Sequence, residues 1–323
     1  MKTTRSGVVW ATAALLLGLA APASAAPNRV FVSGHGVDAA GCGAPTTPCR
    51  SLQFAHDTIA ADGEIDILDP AGYGAVTILK AVSIVNDGVG TAGVQTTDDA
   101  AITIAAGTGA AVYLRGLNVD GLGAGHDGVR FISGGVLTIV NCTFRHFEHD
   151  GVHLAPVTDA GAAPQFVLVG DLLADNDIGF LYERRDSPAT AAKITLSQVV
   201  ATSNRIGVGI DVSSGTKSVA VAISDSTLSH NARDGLLVEG AAALANGAVV
   251  VVDGTHMDHN LFGLELTGVA VAHLSRSVMT LNFDGLVASG VVSPGAVFSN
   301  GDNRLEANTN SDIVGVISAE GLH

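Results

Sequence analysis

Short runs in which apolar and polar residues alternate recur through most of the chain, and no stretch of helical period separates them. One set of runs, at 129–132, 152–155, 180–183, 208–211, 236–239 and 264–267, follows a glycine. A second set, at 137–144, 167–173, 194–200, 219–228, 249–257 and 271–279, precedes an asparagine or its equivalent. Period-two alternation in β-branched segments predicts strands that bury one face. Between the sets stands a recurring corner: Asn176-Asp177-Ile178-Gly179, Asn204-Arg205-Ile206-Gly207 and Asn260-Leu261-Phe262-Gly263, with Asn231-Ala232-Arg233-Asp234-Gly235 one residue longer. Gly151, Gly179, Gly207, Gly235 and Gly263 follow one another at intervals of 28, with Gly128 placed 23 before and Gly285 placed 22 after.

A strand of this length cannot bury its apolar side alone, so successive repeats must stack into one continuous core. With three short strands per turn, the expected fold is all-β: a single-stranded right-handed parallel β-helix, a solenoid. Asparagines at equivalent corners are expected to form a ladder of amide hydrogen bonds, and the following glycine to supply a positive φ. Ser51 is placed to cap a short amphipathic helix through Leu52, Ala55 and Ile59, covering the open N-terminal end of the core. The organisation read from the chain is a signal peptide at 1–25, a loop and cap helix at 26–60, the β-helix at 61–312, and a C-terminal cap or tail at 313–323, its lid beginning near Ser311.

Composition narrows the function classes. Charged residues make up 15% of the chain, below the roughly 25% of ordinary soluble domains. Its 16 basic residues, Lys2 and Arg5 among them, face 31 acidic ones. That balance excludes a broad nucleic-acid surface, which needs basic clusters. Lys2 and Arg5 precede an apolar stretch at 8–21 and then Ala23-Ser24-Ala25, the pattern of a cleaved secretory leader. A secreted or periplasmic protein with no membrane insertion after cleavage is expected. Export permits disulfides, and Cys42 and Cys49, in a turn-rich loop, are expected to pair. Cys142 alternates with apolar neighbours and is read as a buried thiol.

The Phe31-Val32-Ser33-Gly34 opening, Cys42 and Cys49, the Ser51-Leu52-Gln53-Phe54-Ala55 helix and the Asn-x-x-Gly corners together resemble exported bacterial right-handed β-helix repeat proteins of the pectin-lyase-like superfamily. The likeness spans nearly the whole mature chain. It implies the fold and leaves the reaction open, since the superfamily holds polysaccharide lyases, hydrolases and epimerases beside members of unassigned activity. The chain departs from the enzymes in two respects. It lacks the paired-aspartate strand motif of polygalacturonases, Asp98-Asp99 falling in a polar loop, and it lacks the arginine-rich signature of pectate lyases. Gly34-His35-Gly36 precedes the cap helix and is read as a loop.

The repeat register places candidate chemistry. Glu183, Asp211 and Glu239 are equivalent and should form a column on the outer face, with Glu265, Arg130 and His153 one column over and all facing solvent. Such carboxylates suit Ca²⁺ and, through it, an acidic polysaccharide or cell-surface glycan. As an enzyme, the same face would use Arg130 or His153 as a base, or an acid–base pair drawn from Glu183, Asp211 and Glu239. A second column before the glycines holds His126-Asp127 and His149-Asp150 on adjacent rungs, a candidate transition-metal site. The reading taken is a non-catalytic carbohydrate- or surface-binding protein of the envelope or exterior. Two alternatives stand beside it: a metal-assisted polysaccharide lyase or glycoside hydrolase, and a structural or adhesive scaffold.

Overall fold

The computed structural model describes residues 26–157, 163–184, 192–214, 218–240, 247–288 and 297–319. The expected leader lies outside the described residues. Among those described, the strands form three parallel sheets of twelve, ten and ten strands, in which each strand pairs with its equivalents one turn before and after. The chain is therefore a parallel β-helix. The first sheet runs from Arg29–Val32 to Ile317–Ala319, the second from Val76–Ile78 to Ser311–Val314, and the third from Ala71–Gly72 to Arg304–Leu305.

The core is built from columns of inward side chains in register. Ile102, Val129, Val152, Phe180, Val208, Leu236, Leu264 and Leu286 stack through the second sheet, each fully buried. Burial of each such side chain contributes about 1.5–3 kcal/mol. At the N-terminal end, Ser51 Oγ accepts the Phe54 N–H at 3.2 Å and caps the helix Leu52–Thr58. Leu52 and Ala55 of that helix are wholly buried in the cluster that contains Val30 and Val32.

Three features differ from the sequence expectation. Each run before an asparagine is two strands rather than one; the run at 167–173, for example, becomes Gln165–Val169 and Leu172–Ala174. The break falls on a left-handed residue, such as Gly170 (φ 70°), Gln198 (φ 56°) or Asp225 (φ 48°). Alternation of apolar residues continues across the corner and hides it. Secondly, the corner glycines are not left-handed. The positive φ belongs to the residue before each asparagine, including Asp175 (57°), Ser203 (58°), His230 (57°) and His259 (57°). Glycine is required at these corners by close approach: a Cβ on Gly207 would lie 2.7 Å from the Gly235 carbonyl oxygen and 2.9 Å from Asn231 Nδ2. Thirdly, where a lid was expected from Ser311, Ser311–Val314 and Ile317–Ala319 pair in register with the preceding turn.

The ladder itself runs Asn176, Asn204, Asn231, Asn260, Asn282, Asn308. From Asn204 onward, each side-chain oxygen accepts both the backbone N–H and the Nδ2 of the preceding asparagine, at 2.9–3.2 Å. Each Nδ2 also donates to a backbone carbonyl of the adjoining third-sheet strand one turn back, as Asn204 does to Leu173 at 3.0 Å. Buried corner amides are thereby satisfied at every turn. Cys42 and Cys49 are disulfide-bonded. Cys142 is buried, and burial pushes its thiol up to about 12, so it is inert as a nucleophile.

Candidate functional site

The outer face of the second sheet carries the charged columns. Register places Arg130 beside His153, His153 beside Leu181, and Leu237 beside Glu265. It also places Glu183 beside Asp211 and Asp211 beside Glu239. Solvent exposure of this face is lower than the alternation suggested: Leu237 is 6% exposed and Glu265 9%. Neighbouring rungs close over these positions, and Arg233 covers Glu265 through a 2.8 Å hydrogen bond.

Two depressions lie on this face. One, of about 440 Å³, is lined by His126, Asp127, Arg130, His149 and His153 with Phe131, Ile132, Ala155 and Val157. The other, of about 220 Å³, is floored by Gly209 between Leu181 and Leu237, with Glu183, Asp211 and Glu239 on its walls beside Arg205 and Arg233. A third depression of about 430 Å³ beside the disulfide loop offers His35 as its one titratable side chain.

His153 joins the two columns. Its Nδ1 lies 3.2 Å from Asp150 Oδ2 and 3.6 Å from Asp127 Oδ2, and its Nε2 lies 3.2 Å from Glu183 Oε2. Arg130 Nε donates to Asp127 Oδ2 at 2.7 Å, and Arg130 also pairs with Asp99. Asp99 was placed by sequence in a loop without a role. It reaches the cluster because it directly precedes Ala100, the register partner of Asp127 one turn back, and the Asp127 N–H bonds the Asp99 carbonyl.

The electrostatics follow from this packing. Burial would raise the Asp127 carboxyl, but hydrogen bonds from His153 and Arg130 outweigh it and hold it below the usual range. Asp150 meets His153 but, among the described residues, takes no hydrogen bond from an arginine. Burial pushes it up to about 7, with Asp127, Asp177 and Glu183 adding to the rise and His153 opposing it. Burial would lower His153, yet the surrounding carboxylates raise it above its ordinary value. Burial also raises Glu239, with Asp211 contributing.

The atoms of Asp127, Asp150 and His153 that could ligate a metal all lie within 4.8 Å of one another. The set anticipated from sequence was His126, Asp127, His149 and Asp150. In the structure the His126 and His149 rings stack on each other, centroids 4.6 Å apart, and the imidazole that reaches the two aspartates is His153. The spacing did not reveal this: residues three apart on a regular strand face opposite sides, and Asp150 meets His153 from the corner at which the strand begins. Higher on the same sheet, Asp234 is fully buried, and neither carboxylate oxygen accepts a hydrogen bond. Its nearest cation is Arg233, with Nε 3.4 Å from Oδ2. Burial pushes this carboxyl up to about 7.

No family model matches the chain, and no curated protein does. Among solved structures, pectate lyase Pel9A superposes with a TM-score of 0.53 at 14% identity, over 84% of this chain and 68% of its own. The A-module of the mannuronan C-5 epimerase AlgE6 from Azotobacter vinelandii is matched at a TM-score of 0.38 and 13% identity, over 84% of this chain and 89% of the module. At such identity the likeness to the lyase is one of architecture, and it agrees with the three stacked sheets in showing a parallel β-helix.

Proposed function

We propose that this protein is an exported carbohydrate-binding β-helix that holds an acidic polysaccharide along the outer face of its second sheet. The observation that carries the reading is the pair of depressions on successive rungs of that sheet, joined by the His153–Glu183 contact. Carboxylates repeating at the ~4.8 Å rung spacing offer acceptors to the hydroxyls of a repeating polymer. Arg130, Arg205 and Arg233 stand among them to meet polymer carboxylates. The lyase-like architecture supports a polysaccharide as the ligand class, and the leader pattern with the Cys42–Cys49 bridge supports export to an oxidising compartment.

A panel of polyuronates and neutral glucans, tested by affinity electrophoresis with and without divalent cation, examines this reading. Retardation on a polyuronate, weakened at least tenfold by Asp211→Ala with Glu239→Ala, is the expected result. Migration indifferent to every polymer would overturn it. A second reading is favoured by one observation: Asp127 and His153, clustered with Asp150, line a depression large enough for a sugar ring. Release of unsaturated or reducing-end products from the same panel would make the protein a metal-assisted lyase or hydrolase.

A further inference from the structure

We propose that Asp127, Asp150 and His153 form a site for one divalent transition-metal ion at the floor of the larger depression, with Glu183 as the outer carboxylate that orients the imidazole. The proposal stands apart from glycan binding, because the ion would bind whether or not a polymer is present.

Nδ1 of His153 faces Asp150 and Asp127 at 3.2 and 3.6 Å, whereas Nε2 faces Glu183 at 3.2 Å. With the Nε2 proton held on Glu183, an ion that displaces the Nδ1 proton meets an Nδ1 lone pair directed at the two aspartates. Ligating histidines are held in this way by an outer acceptor, which fixes the tautomer and strengthens the ligand. The donors are rigidly placed: Asp127 comes from one strand and Asp150 and His153 from the next, in parallel register, and Asp127 and Asp150 are almost wholly buried. Arg130 occupies one lone pair of Asp127 Oδ2 and leaves another for an ion.

Two carboxylates and an imidazole form a mixed oxygen and nitrogen set, suited to Zn²⁺, Co²⁺ or Mn²⁺. Ca²⁺ prefers six to eight oxygens and is poorly served by it. The depression of about 440 Å³ beside the cluster leaves room for water or a ligand oxygen to complete the coordination.

The test uses the purified full chain, stripped with chelator and titrated with ZnCl₂, CoCl₂ and CaCl₂ without polymer. Bound metal is measured after dialysis, and the Co²⁺ form is read by its visible spectrum. One Zn²⁺ per chain is expected, with Zn²⁺ preferred over Ca²⁺ and at least tenfold weaker binding in Asp150→Asn and in His153→Gln. Glu183→Gln should weaken binding about 10–100-fold, the usual cost of losing an outer carboxylate. His126→Ala with His149→Ala should leave it unchanged. Should the ligand variants misfold, carbethoxylation of wild-type His153, mapped by peptide, decides the matter: Zn²⁺ is expected to protect it. No stoichiometric uptake, Ca²⁺ preferred over Zn²⁺, uptake lost with the His126 and His149 variant, or His153 unprotected would each overturn the proposal.

Discussion

Replacing Asn231 by alanine should cost about 3 kcal/mol, and the figure comes from its bonds. Asn231 Nδ2 donates to the Ala201 carbonyl at 3.2 Å and to Asn260 Oδ1 at 3.1 Å, while its Oδ1 accepts Asn204 N–H at 3.1 Å and Asn204 Nδ2 at 3.2 Å. Alanine leaves the buried Asn204 backbone N–H without that acceptor, which costs about 1–3 kcal/mol. The Asn204 side chain keeps its bond to Leu173, so the remaining losses are ordinary hydrogen bonds worth about 1 kcal/mol or less each. Asn308→Ala is the internal comparison. It breaks the same kind of contacts with Asn282 at a partly exposed end of the stack, where water replaces them, and about 1 kcal/mol is expected. Urea unfolding followed by circular dichroism, with midpoint and slope fitted for both variants, measures the two costs. If Asn231→Ala costs no more than Asn308→Ala, the ladder is a geometric coincidence and the account of the corners is wrong.

Gly207→Ala should destabilise by about 2 kcal/mol or more, since its Cβ meets backbone from the next rung. Gly107→Ala, where a Cβ meets nothing within 4 Å, should be neutral or stabilise by about 0.4–1 kcal/mol; equal melting temperatures for the two would refute the close-approach argument. For Asp234 the folded carboxyl sits near 7 and the unfolded one near 3.8, so the folded state holds the extra proton and stability falls as pH rises between these values. Asp234→Asn should therefore gain at least about 1 kcal/mol at pH 8, with a ceiling of about 4 from the shift, and nothing at pH 4; urea midpoints at both pH values check the sign. Reducing Cys42–Cys49, a pair separated by 7 residues, should cost about 2.5 kcal/mol by loop entropy, seen as lost amide protection confined to the N-terminal end.

The columns were legible because period-two alternation and the asparagine corners count residues without reference to coordinates. Glu183, Asp211 and Glu239 are neighbours for that reason alone. The second corner in each turn was not legible, since Gly170, Gln198 and Asp225 share a left-handed backbone but no side-chain chemistry. Nor was the burial of Leu237 and Glu265, which depends on the long side chains of adjoining rungs folding over the face.

The amino-acid order by itself determined which residues share a column, because stacking identical repeats converts an interval along the chain into a vertical neighbour. It determined the ladder, the capped N-terminal end and the surplus of acid on one face. Only the folded molecule decided which neighbours meet. Lateral contact across columns depends on side-chain length and rotamer, so His153 reaches Asp127, Asp150 and Glu183 while His126 and His149 turn to each other. Burial likewise belongs to three dimensions: Asp127 and Asp234 occupy the same column, yet one is held ionised by Arg130 and His153 and the other is left without a hydrogen-bond donor.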